Sequence, residues 1–436
     1  MTTTDTADTA SDPGPTAPGH DASAARDDFA RAVAAQVSVD DPALIEALST
    51  VERHVLIPRA YVPCGTVQPN RRWRLVDGSV AAERSEYLAA VYGLDQVVIQ
   101  LDGEDPGRPV PRTGEAWGVP TGMSSGAGLV ARALTDLELA PGMTVLEVGG
   151  APGYLAALTA RLTGRTVTTV EADSRLADHT RHRLSTTDAD VRVVTGDGLL
   201  GLPGGVCTDR IAVSVSVSSI PSAVLGHLAP GGVLRCSLTT GAPGWHATAL
   251  VRRDQQGHLS GRLTGGGWAP IPARGLSSVP LPATGGDQSG AAAERTCAAP
   301  PGRAEHGFWL ALAHLAPGVR RDWTAQEDRV VLVTPDDGSR AVLTRHADRW
   351  RAQESGPRRL WAEAEPHLAG WELAGRPADY QLRFDEDGAQ CVDAGPHLTW
   401  TLPTSRIADP HTPQAQPRRS ARRPVQLSPT TEEHLQ

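Results

Sequence analysis

The feature that most constrains the fold is the ten-residue stretch at positions 145–154, VLEVGGAPGY. Residues 144–148 form a short run with β-branched members, which is typical of a buried parallel strand. Three glycines and a proline interrupt the run, and leucines at positions 155, 158 and 162 then follow a helical spacing until Gly164. A strand, a glycine turn and a helix are the opening unit of nucleotide-binding α/β folds, because glycine lets the backbone approach a ligand and the helix start presents free N–H groups.

The composition of the flanking sequence predicts the domain organisation. Strands alternate with helices after the glycine turn, which predicts a Rossmann-like α/β fold with a mostly parallel sheet and an antiparallel hairpin. Six of the ten tryptophans fall late in the chain, which indicates a second core there. The predicted boundaries are a disordered segment at 1–25, an N-terminal helical cap at 26–117, the α/β core at 118–268, a linker at 269–303, a small C-terminal α+β domain at 304–404 and a disordered tail at 405–436.

Charge and cysteine content exclude several classes of protein. The net charge of −9 argues against a protein built to grip nucleic acid. Five scattered cysteines without a CxxC motif fit a reducing cytoplasm and no disulfide frame, and the 14 histidines show no metal-ligand spacing. No apolar run approaches the roughly 20 residues of a membrane span. The expectation is therefore a cytoplasmic protein without metal, membrane or nucleic-acid contacts.

Two acidic residues extend the pattern at the glycine turn. Glu171 follows the second predicted strand, where a carboxylate can accept both ribose hydroxyls, and Asp197 follows the third, near the place of an adenine amino group. The turn lacks the G-x-G-x-x-G spacing that suits a pyrophosphate, and the chain has no lysine for a P-loop. A ligand with one nucleoside and no phosphate fits better, which predicts S-adenosylmethionine; plain loop chemistry is the alternative.

Several motifs resemble a known family. The runs VLEVGGAPGY, VEAD, TGDGLLGLP, DRIAV and IPSAVLGHLAPGGVL resemble the protein-L-isoaspartate O-methyltransferases. VERHVLIP is similar to that family's N-terminal segment, and GMSSGAGLVARAL lies where the family carries a Ser-Gln-Pro motif. AVYGLDQVVIQLDG, DGSRAVL, SGPRRLW and GWELAGRP resemble the branch encoded beside ATP-grasp peptide maturases, the graspetide systems. The resemblance covers roughly residues 51–403.

This resemblance implies a Rossmann-like α/β fold of the class I methyltransferase type. It also implies methyl transfer from S-adenosylmethionine to an aspartate carboxylate of a ribosomally made peptide. The methyl ester would then lead to aspartimide or isoaspartate. The implied partners are the precursor peptide and an ATP-grasp maturase. Ser125 is the expected catalytic residue, with a helix cap as its alternative role. Ser124, Arg53 and His54 are the expected substrate ligands, although a surface helix end would also explain the last two. The expected cofactor ligands are Glu147, Gly149, Gly150, Ala151, Gly153, Tyr154, Glu171, Asp197 and Gly198.

Two departures from the family pattern leave alternatives open. Ala151 stands where the turn usually has glycine, and Ser125-Gly126-Ala127 replaces Ser-Gln-Pro. General repair of isoaspartate in damaged proteins is the first alternative reading. A non-catalytic peptide-binding partner of the maturase is the second. An RNA methyltransferase is weaker, since no basic stripe accompanies the turn.

Overall fold

A computed structural model describes residues 18–38, 40–67, 70–103, 115–240, 242, 245–266, 271–273, 293–322 and 328–403. The predicted tail at 405–436 and most of the predicted disordered N-terminus lie outside these ranges. Helix formation nevertheless starts at Pro18, inside the segment predicted to be disordered. That prediction was wrong for residues 18–25, because alanine is the strongest helix former and Ala22 is buried in the core.

The N-terminal region contains four helices and five strands. Their bounds are α1 Pro18–Val37, α2 Pro42–Thr50, α3 Arg53–Leu56, β1 Arg59–Val67, β2 Asn70–Asp77, α4 Arg84–Val91, β3 Val97–Leu101, β4 Glu115–Trp117 and β5 Pro120–Ser124. The predicted helices are present, but the helical cap also holds an antiparallel sheet in the order β4-β2-β1-β3-β5.

This small sheet curls until its edges approach each other. Strands β4 and β5 form opposite edges, and only residues 118–119 separate them in the chain. Four strand spacings span about 19 Å in a flat sheet, whereas three residue steps reach only about 10 Å. The closure brings the end of β5, which carries Ser124, against the α/β core.

The α/β core supplies the strands of a large central sheet. Its elements are α5 Ala127–Asp136, β6 Val145–Val148, α6 Tyr154–Thr163, β7 Val167–Glu171, α7 Ser174–Leu184, β8 Val191–Thr195, β9 Thr208–Val217, α8 Ser222–Leu225, β10 Leu228–Thr239, β11 His246–Arg253 and β12 Leu259–Gly265. Strands β8, β7, β6, β9 and β10 are parallel neighbours in that order, and β11 and β12 add an antiparallel hairpin. The predicted fold class is confirmed.

The C-terminal elements continue this sheet. They are β13 Ala293–Cys297, α9 His306–Leu315, β14 Arg320–Asp322, β15 Arg329–Val333, β16 Arg340–His346, β17 Arg349–Ser355, α10 Leu360–Leu373, β18 Asp379–Phe384, β19 Gln390–Asp393 and β20 Thr399–Thr401. Strand β18 pairs with β12, so β18 to β20 extend the central sheet to ten strands, and β13 to β17 form a separate antiparallel sheet.

The boundary predicted at 269–303 remains a prediction, but the hydrophobic core is continuous across it. Trp245 precedes the predicted linker in the sequence and Trp309 follows it. Their indole rings stack with centroids 5.7 Å apart, and both residues are fully buried. The described residues belong to one compact unit. The C-terminal elements therefore contribute to the stability of the α/β core, because they cover its apolar face.

Candidate functional site

The bend between β6 and α6 has a backbone that only glycine fits well. Gly149 and Gly153 both have a φ of +91°, a region that L-residues rarely adopt. The N–H of Gly149 donates to the carbonyl of Val170 on β7 at 2.8 Å. A Cβ on Gly150 would lie 1.8 Å from the hydroxyl oxygen of Thr169, so the bend is packed directly on β7. The peptide bond between Ala151 and Pro152 is cis.

Glu171 lies at this bend, as the sequence predicts. One carboxylate oxygen accepts the backbone N–H of Ala151 at 3.2 Å, and the other accepts the N–H of Asp173 at 2.8 Å. The carboxylate is half-buried at the tip of β7. The replacement of glycine by alanine at position 151 is therefore compatible with a hydrogen bond from the bend to the acid.

Asp197 occupies the tip of β8, the next strand. Its side chain is exposed and accepts the N–H of Leu199 at 3.0 Å, which caps the short 3-10 turn Gly198–Leu200. A Cβ on Gly198 would lie 2.8 Å from a methyl of Val148, so this turn packs closely on β6. The two predicted acids thus follow neighbouring parallel strands, at the same edge of the sheet as the bend.

Glu147, on β6, is a third acid and is almost fully buried, with 3% of its surface exposed. Its carboxyl oxygens accept the hydroxyls of Thr169 at 2.8 Å and Ser214 at 3.0 Å. The pKa of Glu147 is raised to about 7. Burial is the largest cause and the nearby charge of Glu171 adds to it, whereas the hydrogen bonds from the two hydroxyls act in the opposite direction. Two carboxyl groups therefore act on the space at the bend.

A narrow cleft of about 50 Å³ lies beside the bend, on the side of β9 and β10. Its lining residues come from β5, α5, the bend and three strands. They are Met123, Ser124, Ser125, Leu129, Val130, Ala133, Glu147, Gly149, Gly150, Ala151, Pro152, Tyr154, Leu155, Ser214 and Arg235. Seven predicted site residues are in this set, and Ser214 and Arg235 were missed by the sequence reasoning.

Ser125 faces the cleft without acting as a helix cap. Helix α5 begins at Ala127, its N-cap residue is Gly126, and no side chain caps it. The alternative role of Ser125 is therefore not what the structure has, and its hydroxyl is left for a ligand in the cleft. Ser124 is buried behind it.

Arg53 lies behind the wall of the cleft, where it has no exposed surface. Its guanidinium donates to the hydroxyl of Ser124 at 3.1 Å and to the carbonyl of Ser125 at 3.2 Å. The rings of Phe29 and Tyr154 lie 5.4 and 5.1 Å from it. Burial lowers the pKa of Arg53, and in the described part of the chain no carboxylate forms an ion pair with it. Arg53 therefore contacts the two serines of the cleft wall, and its expected contact with substrate stays a prediction.

His54 is also absent from the cleft lining. Its Nδ1 lies 2.7 Å from the hydroxyl of Tyr92, and burial lowers the pKa of its imidazole. The structure gives it a packing role at the end of α3 and offers no contact with the cleft.

The missed residue Arg235 left a signal in the sequence. It interrupts VLRCSL, a run that otherwise reads as a buried strand, and a charged residue there requires a partner. Its Nε donates to Asp136 at 2.9 Å. Within the described ranges, no three His, Cys, Asp or Glu side chains are grouped to hold a metal ion, and no helix has the length and apolarity to cross a bilayer.

The family model and the relatives compared by sequence point to the same family. The family model for protein-L-isoaspartate(D-aspartate) O-methyltransferase matches residues 118–262. A protein-L-isoaspartate O-methyltransferase of Koribacter versatilis is 32% identical over 188 residues, covering 43% of this chain and 76% of that protein. One from Methanopyrus kandleri is 37% identical over 135 residues, covering 30% of this chain.

The chain spans 54% to 60% of the length of the Methanopyrus protein and of three further relatives with this activity in their names. A solved protein-L-isoaspartate O-methyltransferase aligns with 82% of this chain and 95% of its own, at 18% identity and a TM-score of 0.45.

Proposed function

The chain belongs to the protein-L-isoaspartate O-methyltransferase family, and from this premise we propose that it is an S-adenosylmethionine-dependent carboxyl O-methyltransferase acting on isoaspartyl residues of peptides or proteins. The observation that carries the proposal is the sign of the charge at the glycine bend. The carboxylate of Glu171 accepts the backbone N–H of Ala151 in the bend, and a negative charge there disfavours a pyrophosphate and favours a cationic sulfonium.

The residues at the strand tips fit such a cofactor. The bend lies directly on β7, because a Cβ at Gly150 would collide with Thr169. Glu171 is held at the tip of β7, where a carboxylate can accept ribose hydroxyls. Asp197 and Gly198 follow β8, on the side where the adenine would lie. The cofactor supplies an electrophilic methyl group on sulfur.

The chain's own residues then have a simple task, since an ionised carboxylate is already a nucleophile. A bond forms between a carboxylate oxygen and the methyl carbon, the carbon–sulfur bond breaks, and its electron pair stays on sulfur. No proton moves, so no general base is required. Ser125 donates a hydrogen bond that orients the carboxylate, and Arg53 fixes the turn that carries Ser125. Alignment and exclusion of water provide the rate enhancement.

The ester product explains the implied rearrangement. The adjacent backbone nitrogen attacks the ester carbonyl, methanol leaves, and water opens the resulting aspartimide to aspartate or isoaspartate. The test is mass spectrometry of an isoaspartyl peptide and its aspartyl twin after incubation with S-adenosylmethionine. A methyl gained by the isoaspartyl peptide supports the proposal, and no methyl on either peptide contradicts it.

A matched pair of serine variants tests the role of Ser125. We expect Ser125→Ala to lower the rate roughly tenfold or more, the loss expected for one orienting hydrogen bond to a charged group. Ser185→Ala, at the exposed end of α7, should leave the rate unchanged. Equal rates for both variants would remove Ser125 from the catalytic site.

A more specific peptide substrate is the second candidate function, and the C-terminal extension favours it. The family match ends at residue 262, whereas residues 293–403 add β18 to β20 to the sheet that carries the site. This extension would recognise a ribosomally made peptide modified by an ATP-grasp maturase, and the chain would methylate an aspartate of that peptide. Methylation of such a peptide, without methylation of short isoaspartyl peptides, would favour this substrate over general repair.

The reading as a non-catalytic partner is the third candidate. It rests on Ala151 and on the altered Ser-Gln-Pro motif. Calorimetry separates it from the other two, because a chain without cofactor affinity at millimolar S-adenosylmethionine would support it.

A further inference from the structure

A chain of hydrogen bonds connects the glycine bend to the small N-terminal sheet. The carboxylate of Glu171 accepts the N–H of Ala151 in the bend and the N–H of Asp173 at 2.8 Å. One carboxylate oxygen of Asp173 caps α7, and the other accepts the side-chain amide of Gln100 at 3.3 Å. Strand β3 of the small sheet is therefore bonded to the residues that follow β7.

Gln100 continues this chain to β5. It lies in β3 with 1% of its surface exposed, and its amide oxygen accepts the hydroxyl of Thr121 at 2.8 Å. The ladder between β3 and β5 shifts register on both sides of Gln100, so the bond to Thr121 holds β5 where the backbone pairing is irregular. Thr121 stands four residues before Ser125 in the sequence, which is about 14 Å along an extended strand.

The same part of β5 packs against the start of α7. A Cβ built on Gly122 would lie 3.0 Å from the Cβ of Gln100 and 3.1 Å from a methyl of Leu176, so β5 fits closely against both β3 and α7. The N–H of Leu176 in turn donates to Asp173 at 3.1 Å. Both neighbours of Gly122 thus contact the same carboxylate, which lies beside the glycine bend.

A buried amide is costly unless it is hydrogen-bonded, and an apolar side chain would fill the same space. The two partners of Gln100 lie on the two elements that the proposed reaction must hold together. Its amide nitrogen is bonded next to Glu171, the proposed ribose ligand, and its amide oxygen to the strand that ends at Ser125. Gln100 lies outside the cleft lining, so any effect on the reaction passes through these elements.

On the basis of the proposed function, we infer that Gln100 is a positioning residue for methyl transfer. It fixes the strand that carries Ser125 relative to the residues that hold the cofactor. The distance between the methyl group and the attacking carboxylate oxygen is thereby set from outside the cleft. The rate depends steeply on this distance, because a displacement of about 1 Å can cost roughly 100-fold.

Steady-state kinetics with the isoaspartyl peptide, combined with calorimetry of S-adenosylhomocysteine, tests this role in the full chain. Gln100→Leu removes both side-chain hydrogen bonds and keeps a similar volume. We expect kcat to fall roughly ten- to hundredfold. The Kd of S-adenosylhomocysteine should stay within about threefold, because the bend and its bond to Glu171 are retained.

An exchanged pair of side chains separates hydrogen bonding from packing. Gln100→Glu places a second carboxylate against Asp173 and should be as slow as Gln100→Leu, since like charges repel. Adding Asp173→Asn to Gln100→Glu exchanges the amide and the carboxylate, so that an amide N–H again donates to a carboxylate. Asparagine also remains a good N-cap for α7. The double variant should therefore recover most of the lost kcat.

Thr334→Val is the control for a loss of stability alone. It removes a buried hydroxyl that donates to Asp337 in the turn between β15 and β16, within the separate antiparallel sheet. This variant should unfold more easily than wild type and keep its kcat. A fall in kcat as large as that of Gln100→Leu would reduce Gln100 to a structural residue.

Three other results would also overturn the inference. An unchanged kcat for Gln100→Leu, in a chain whose wild type is active, would remove the role of Gln100 and leave the proposed function standing. A double variant no faster than Gln100→Glu would do the same, and this comparison decides the question if Gln100→Leu fails to fold. Absence of methyl transfer by the wild type would instead remove the proposed function, and with it this inference.

Discussion

Glu147 makes the stability of the folded protein depend on pH, and the size of this effect follows from the burial of its carboxyl. Its pKa rises from 4.5 to about 7 because the carboxyl is buried. The folded state therefore binds a proton more tightly than the unfolded state does. This contribution to stability is fully present below pH 4.5 and is lost as the pH rises through 7. At about 1.4 kcal/mol for each pKa unit, the loss is roughly 3 kcal/mol.

The substitution Glu147→Gln isolates this effect. Glutamine keeps an acceptor and a donor for the hydroxyls of Thr169 and Ser214 but does not titrate. We expect the free energy of unfolding of the variant, relative to wild type, to rise by roughly 3 kcal/mol between pH 5 and pH 8. Urea unfolding followed by tryptophan fluorescence at four pH values measures it. Buried histidines titrate equally in both proteins, so their contributions cancel.

The opposite result is equally well defined. Parallel pH profiles for wild type and Glu147→Gln would mean that Glu147 ionises in the folded protein at an ordinary pH. The effect assigned to burial of its carboxyl would then be wrong.

Three further substitutions test the bend and the wall of the cleft. Gly150→Ala places a Cβ 1.8 Å from the hydroxyl of Thr169. The free energy of unfolding should fall by about 1–3 kcal/mol. An unchanged melting temperature would contradict the close packing of the bend on β7. Glu171→Gln keeps an acceptor for the bend but loses its charge, and calorimetry should show S-adenosylhomocysteine and methylthioadenosine weakened alike, by roughly tenfold. Arg53→Met removes the donor to Ser125, so kcat should fall while the Kd of S-adenosylhomocysteine stays within about threefold. Arg53→Lys should restore part of kcat. A loss of cofactor affinity that matches the loss of kcat would refute the role of Arg53 in positioning Ser125.

Local patterns in the sequence were sufficient for the α/β core. The parallel strands, the helices between them and the hairpin of β11 and β12 follow from hydrophobic periodicity and from glycine at the turns. The N-terminal sheet was missed, because several of its strand pairs join residues far apart in the chain. Strand β1 pairs with β3, and β2 pairs with β4, and single-strand patterns do not reveal such pairing.

The candidate site was predicted in the same uneven way. The bend, Glu171 and Ser125 were found because each is marked by its neighbours in the sequence. Arg235 was overlooked within a strand. Arg53 was expected to bind substrate, with a surface helix end as the alternative, although it is fully buried. Burial depends on what packs on a residue, and the rings around Arg53 come from α1 and α6.

The sequence alone determined that a glycine bend follows a buried strand and that acids stand after the next two strands, since these properties depend on backbone conformation and on periods of a few residues. Only the tertiary structure decided the surroundings of Glu147, whose partners Thr169 and Ser214 lie 22 and 67 residues away in the chain. It also placed Arg235 across Ala212 from that acid. The physical reason is that strand order and register bring distant residues together on one face of the sheet, and this is where burial changes a carboxyl's pKa and leaves space for a ligand.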